Sequence, residues 1–179
     1  LGGYPGELRR VLGIWAEEID ALFPDAKNSI VMKKPFGQLS GTYDCGLLCD
    51  LIHLETAHEL AVYGQDFYAG MPVLTENRLG DGKAYYIASD PEQSFINSFI
   101  RQLCIDSSID LALEAGEGIE ITERYKGDTR YTFILNHNEH PVCVNLKDGK
   151  YHDLITDRDI DGSVILEAKN VAILESRCK

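Results

Sequence analysis

Between Leu47 and Ser89 apolar and polar positions alternate in short runs, LLCDLIHL, AHELAVYG, MPVLTENRL and KAYYIAS. Alternation at a period of two predicts half-buried strands. The last two runs are joined by LGDGK, a glycine-bearing hairpin signal. The period then changes. In DPEQSFINSFIRQLCI the residues Phe95, Ile96, Phe99, Ile100 and Leu103 recur at helical spacing. Asp90 is placed to cap that helix, Pro91 to occupy its first position and Glu92 to lie in its first turn. Near the start, YPGELRRVLG predicts a short helix, with Pro5 in its first turn, Leu8, Val11 and Leu12 on one face, and Gly13 suited to the position after the end. The apolar stripe also extends plausibly through Gly13 to Leu22, so the pattern leaves that end open. PDAKNS, KKPFG and SGTYDCG are turn-forming clusters, and they predict irregular chain to about Gly46 with one short strand around Ser29–Lys33.

After roughly Leu113 the segment EAGEG breaks the pattern. Beyond it stand only short strand-like runs: IEITERY, RYTFILNH, VCVNL, YHDLI, SVILEA and NVAILES. They are separated by the turn clusters KGDT, HNEHP, KDGK and DRDIDG. Evenly spaced strands of this kind predict a small antiparallel sandwich or barrel. A domain boundary is expected near 113–117, with residues 1–113 mixing strands and helices and residues 117–179 all β. There is no internal repeat and no low-complexity tract.

Composition supports a packed core: 44% of the 179 residues are hydrophobic and 26% charged. The formal net charge is −12. Residues 1–115 hold 8 Lys and Arg against 17 Asp and Glu, a balance of −9, so most of the acidity lies in the first part. Such a surface repels phosphate backbones and anionic membranes, which excludes nucleic acid and membrane as expected partners. No apolar run reaches the roughly 20 residues that span a bilayer. The cysteines are Cys45, Cys49, Cys104, Cys143 and Cys178. Their odd number and mostly apolar neighbours predict buried free thiols and a reducing, cytoplasmic setting. There is no signal peptide, and the opening LGGYPG, without a methionine, reads as cut from something longer.

Several motifs invite chemistry. DRDIDGSVILE places Asp157, Asp159, Asp161 and Gly162 as a calcium loop begins. Its twelfth position is Ala168, however, with Glu167 one place short, and strand-like flanks replace helices. A tight hairpin turn is the better expectation. In IHLETAHE, His53 and His58 stand five apart rather than the four of H-E-x-x-H. On a strand, residues five apart face opposite ways and cannot share an ion. Cys45 and Cys49 lack a second close Cys/His pair for zinc. Cys45-Gly46 lacks the flanking glycines of a nucleophile elbow. The glycines of LGDGK join two strands rather than open a phosphate-binding helix. The residues thus nominate no catalytic, cofactor-binding or metal-ligating position, and no cofactor.

LGGYPGELRRVLGI, CDLIHLETAHELAVYGQDFYAGMPVLTENRLGDGKAYYIASD and FILNHNEHPVCVNL together resemble the C-terminal portion of bacterial β-galactosidases of glycoside hydrolase family forty-two. The first two stretches resemble the later half of the trimerisation domain. That domain is flavodoxin-like and related to class I glutamine amidotransferases. The third resembles the small β-domain that follows. The resemblance implies a partial flavodoxin-like α/β domain and then an antiparallel β-sandwich. It implies homotrimer assembly, and a galactoside bound and cleaved by a retaining pair of glutamates on a (β/α)8 barrel absent here. Those carboxyls would stand about 5–5.5 Å apart. No residue of this chain inherits either role, nor a metal-binding or glutaminase cysteine. A half-sheet would leave an open edge and uncovered apolar faces. Trp15, Phe67, Tyr68 and Tyr85 are the candidate interface anchors, with core packing as the alternative for each. The rival reading is a carbohydrate-binding module using Tyr125, Tyr131, Phe133 and Tyr151. Tyr131 and Phe133 share one strand face, which points to core packing instead. A free enzyme using local carboxylates is the third possibility.

Overall fold

The computed structural model describes residues 4–109, 113, 115–147 and 149–177. The glycines that open GGYPG, Glu114 of EAGEG, Asp148 of KDGK and Cys178 lie outside the described residues. The chain divides into two compact units, Leu1–Ser108 and Ile109–Lys179. Among the described residues no helix is long and apolar enough to cross a membrane.

The first unit opens with a 3-10 turn, Gly6–Leu8, running into α1, Arg9–Leu12. Gly13 ends α1 in the left-handed conformation at φ 64°, as the C′ reading anticipates. The chain then extends as β1, Ile14–Ala21, so the competing helical continuation to Leu22 is not taken. Six strands follow: β2 Asn28–Met32, β3 Thr42–Leu54, β4 His58–Tyr63, β5 Pro72–Leu79, β6 Gly82–Ile87 and β7 Ser89–Pro91. The ladder runs β1-β3-β2-β4-β5-β6, with β7 on β3. Strand β7 continues β6 past Ala88, whose N–H donates to Val73 at 2.8 Å and whose carbonyl accepts from Asp50 at 2.7 Å. The ladder from β3 through β6 thereby closes back on β3, and β1 pairs along the C-terminal part of β3, where its Ile14 and Ala16 join the core. Closure removes the edges that a half-sheet would expose.

Every strand pair in this unit is antiparallel. The parallel α/β layer implied by a flavodoxin-like fold is therefore not what these residues build. Consecutive hairpins need only short turns, whereas parallel pairing needs helical crossovers. The sole long helix, among the described residues, is α2, Gln93–Asp106. It begins later than the local signals predict: Asp90 and Pro91 lie in β7, and Glu92 is the N-cap residue. Long-range closure onto β3 overrides the local capping pattern. Phe95 and Phe99 of α2 are buried, with Tyr43 edge-on to Phe95 at 5.3 Å and Tyr85 edge-on to Phe99 at 5.5 Å. Each buried phenyl contributes about 1.5–3 kcal/mol. Ile100, assigned to the same stripe, is instead 51% exposed.

Among the described residues the second unit forms only strands, all paired antiparallel. Strands β8 Ile119–Lys126, β9 Thr129–Asn136, β11 Tyr151–Asp153, β12 Arg158–Ile160 and β14 Val171–Arg177 form one sheet, ordered β12-β11-β14-β9-β8. Strands β10 Val142–Asn145 and β13 Ser163–Leu166 form a second, two-stranded sheet. Ile134, Ala172, Leu174 and Tyr151 from the first meet Val144, Val164 and Leu166 from the second in one core. That is the small sandwich expected from the strand spacing. Buried Asn136 ties the sheets together. Its amide donates to the carbonyls of His140, Leu166 and Glu167 at 2.9, 3.2 and 2.9 Å, and its oxygen accepts from Asn138 N–H at 2.9 Å.

Candidate functional site

The acidic run 157–162 lies on the β11–β12 hairpin. Asp153 shapes the turn: its carboxylate accepts from Ile155 N–H at 3.0 Å and from the Thr156 hydroxyl at 2.6 Å. Asp157 turns the chain at φ 55°, and Asp159 sits on β12 opposite His152. The imidazole of His152 lies between the two carboxylates, Nδ1 at 3.0 Å from Asp159 and Nε2 at 3.2 Å from Asp157. The hydrogen bond to Asp159 raises its pKa above the ordinary histidine value, and Asp157 adds to the shift. The carboxylates bracket a ring rather than converge on an ion. The hairpin turn lies earlier than expected, at 154–157, and Arg158–Ile160 of the acidic run form the short strand β12, because they pair with Tyr151–Asp153.

His53 and His58 are likewise separated. His53, on β3, stacks on Trp15 at 4.4 Å and pairs with Glu17 at 2.6 Å. His58, on β4, lies 3.6 Å from Glu76. Cys45 and Cys49 are both buried free thiols. Burial pushes the Cys45 thiol up to about 11, and Cys49 Sγ lies 3.6 Å from Ser89 Oγ. Such thiols are poor nucleophiles. Cys143, expected to be buried, is exposed. Among the described residues no group of three or more His, Cys, Asp and Glu could hold a metal ion.

The best-built polar cluster is one that the sequence pattern did not reveal. Glu76, in the middle of β5, is only 7% exposed. Register places it between His58 on β4 and Tyr85 on β6. The Tyr85 hydroxyl donates to it at 2.8 Å, and Lys83 Nζ lies at 3.3 Å. Burial works against its charge, but the Tyr85 and Lys83 contacts outweigh it and hold the carboxyl below its ordinary range. Elsewhere Asp20 accepts from Tyr68 at 2.9 Å, Asp50 from Tyr86, and Glu55 pairs with Arg9 through two contacts. These are carboxylates engaged in holding strands together.

Exposed apolar surface has a clearer distribution. Of the four expected anchors, Tyr68 is buried edge-on against Tyr63, Trp15 and Tyr85 are half-buried, and only Phe67 is widely exposed, at 78%. Phe23, not anticipated, is 83% exposed. Leu47 and Leu48, 63% and 43% exposed, line a groove of about 250 Å³ with Ile87 and Ala88 as further apolar wall. In the second unit Tyr151 is buried, with Arg130 stacked 5.7 Å over its ring. Tyr131 and Phe133 are not core, contrary to expectation. The core side of β9 carries Thr132, Ile134 and Asn136, so Tyr131 and Phe133 take the outer face and are half-exposed. Register opposes Tyr131 to Arg124, and Tyr125 to Arg130, so Tyr125 lies on the other face.

Comparison with known proteins now gives these features a context. Residues 1–110 match the family model of the beta-galactosidase trimerisation domain, and residues 118–176 that of the beta-galactosidase C-terminal domain. The chain is 53% identical over 174 residues to beta-galactosidase BgaP of Planococcus sp. (strain L4), covering 97% of this chain and 26% of that one. It is 36% identical over 179 residues to BglY of Alicyclobacillus acidocaldarius, again 26% of that protein's length. The crystal structure of beta-galactosidase from Bacillus circulans sp. alkalophilus superposes with a TM-score of 0.92 at 47% identity, covering 98% of this chain and 26% of that one. This chain thus spans about a quarter of the length of the relatives it matches. With both domains matched in the same order, it belongs to the GH42 beta-galactosidases, as their trimerisation domain followed by their C-terminal domain.

Proposed function

We propose that this chain is a non-catalytic C-terminal region of a β-galactosidase. Residues 1–113 help assemble a homotrimer, and residues 117–179 follow as a small β-sandwich. The parent enzyme would hydrolyse terminal β-D-galactosides with retention, through two carboxyl groups supplied by the rest of its chain. One observation carries this reading: two family models, one named for trimerisation, match in order along a chain that is 26% of its relatives' length. A flavodoxin-like layout would need parallel strands, and the described strand pairs of the first unit are antiparallel. Free thiols at Cys45, Cys49, Cys104 and Cys143 fit a cytoplasmic setting.

The test is hydrolysis of a chromogenic β-D-galactoside by this chain and by the full-length protein. Turnover is expected from the second alone. Turnover by the 179-residue chain that survives repurification would overturn the reading. A second reading draws on the outward placement of Tyr131 and Phe133: this face could stack on a sugar ring. Calorimetric titration with galactose and a β-galacto-oligosaccharide decides it. Heat abolished by Phe133→Ala would support a binding module, and absence of heat would remove it.

A further inference from the structure

Strand β3 contains an irregularity that local folding does not require. Leu47 adopts φ 57°, a left-handed conformation disfavoured for an L-residue. At the same point the pairing of β3 with β7 slips: Cys45 opposes Pro91, Gly46 opposes Asp90, and the next residue of β7, Ser89, is opposed by Cys49. Leu47 and Leu48 are thus the extra residues of a bulge. In a regular strand Cys45 and Cys49 would stand about 13 Å apart. Across this bulge they oppose residues of β7 only two apart, which are separated by about 6.6 Å and face the same way. Disulfides usually join Cα atoms roughly 4.4–6.8 Å apart. The slip therefore moves the pair from far outside bridging range to within it. The side chains agree. Both thiols are buried, Cys45 at 1% and Cys49 at 0% exposure. The Ser89 hydroxyl lies 3.6 Å from Cys49 Sγ, and both Ser89 and Cys49 act on the Cys45 thiol. Both thiols also act on one phenol, that of Tyr63. Its hydroxyl reaches the carbonyls of Asp50 and Ala88, the sequence neighbours of Cys49 and Ser89.

We infer that Cys45 and Cys49 are a modification site: they close into an intrachain disulfide across the β3 bulge when the protein meets hydrogen peroxide. The left-handed Leu47 then has a role, since it sets two sulfurs side by side that a regular strand would keep apart. The step balances. Cys49 Sγ, with the Ser89 hydroxyl beside it, attacks one peroxide oxygen, the O–O bond breaks, and the departing oxygen leaves as water with the thiol proton. Cys45 Sγ attacks the resulting sulfenic sulfur, the S–O bond breaks, and the hydroxyl leaves as a second water with the second thiol proton. Two thiols are oxidised to one disulfide, and the peroxide is reduced to two waters. Burial makes both thiols poor nucleophiles, so closure is slow, and it selects an oxidant close to water in size. The same burial shields the finished bond from bulky reductants. In a reducing compartment the pair stays open until peroxide rises.

The experiment treats the folded full-length protein with hydrogen peroxide, alkylates the remaining thiols in denaturant and cleaves the chain before aspartate. Cleavage at Asp44 and Asp50 releases the peptide 44–49, which carries both cysteines. Mass spectrometry should find it unalkylated and lighter by two hydrogens, and reduction before alkylation should restore two alkyl groups. Cys45→Ser should lose this closure, with an oxygen adduct trapped on Cys49 in its place. Two alkyl groups on the folded protein's peptide, at a peroxide dose that closes the same peptide in urea, would overturn the inference. So would a bridge from Cys45 or Cys49 to any other cysteine, or a two-hydrogen loss that persists in Cys45→Ser. None of these outcomes bears on assembly, so the reading above stands or falls separately.

Discussion

Gly13 is the position at which a single methyl group should cost the first unit most. It ends α1 at φ 64°, where its N–H donates to Arg9 O at 2.7 Å. Its carbonyl accepts the N–H groups of Glu55, Thr56 and Ala57 at 2.8, 3.1 and 3.1 Å, which joins α1 to the β3–β4 turn. A Cβ placed there would lie 2.5 Å from Thr56 Oγ1, 2.6 Å from Asn77 Cγ and 2.7 Å from Ala57 N. The last is backbone and the second belongs to a buried side chain, so neither yields easily. Gly13→Ala therefore incurs roughly 1–2 kcal/mol for the left-handed backbone and roughly 1–3 kcal/mol for overpacking, about 3 kcal/mol together. Gly41→Ala is the internal reference: its φ is 76°, with nothing within 4 Å of the added Cβ. It should cost only the backbone part, about 1 kcal/mol. Trp15, the single tryptophan, lies on β1 two residues from Gly13, so its fluorescence reports this unit in urea. With a slope of about 1.5 kcal/mol/M, the midpoint should fall by about 2 M for Gly13→Ala and about 0.7 M for Gly41→Ala. Equal shifts for the two variants would refute the steric half of the reasoning.

Three further outcomes are expected. Glu76→Gln removes the charge that Tyr85 and Lys83 stabilise. Because the folded pKa of Glu76 is lowered, its contribution is present above the unfolded value and lost as pH falls through the folded one. Urea midpoints of parent and variant should therefore differ at pH 7 and converge in acid. For His152 the sign reverses: its raised pKa makes the hairpin contribution full below the unfolded value and lost as pH rises through the folded one. An NMR titration should place it above an ordinary histidine, and Asp159→Asn should bring it down; an unshifted His152 in the parent would contradict the bracketing geometry. Asn136→Ala leaves the buried carbonyl of Leu166 and the partly buried carbonyl of Glu167 without their donor. It should destabilise the second unit by about 3 kcal/mol, seen as an earlier loss of β signal in circular dichroism without a change in the Trp15 transition.

What could be foreseen from residues alone follows a physical division. Features fixed by nearest neighbours were legible: Gly13 after α1, the Gly80-Asp81 hairpin between β5 and β6, the helical stripe of Phe95 and Phe99, and the alternation of β8, β9 and β14. Features fixed by distant pairing were not. Asp90 and Pro91 carry a helix-start signal, yet β3 recruits them as β7 and so closes the sheet. Tyr131 and Phe133 share a face as period two requires, but which face is core depends on where Val144 and Leu166 pack. Glu76 sits in an alternating run that gives no hint of a buried charge, because its partners His58 and Tyr85 arrive from two other strands.

The same division explains why function was legible mainly as resemblance. Chemistry encoded by spacing on one element, such as H-E-x-x-H or a calcium loop, leaves a local trace, and here those traces break at the decisive position. An assembly surface leaves none. Phe23 lies in a stretch that reads only as a turn, and Leu47 and Leu48 read as half of an ordinary strand. Their significance arises when a left-handed leucine at a bulge turns both side chains out beside a groove. Within this quarter of the relatives' length those side chains gain no burial, so their contribution depends on what covers them, which no local pattern encodes.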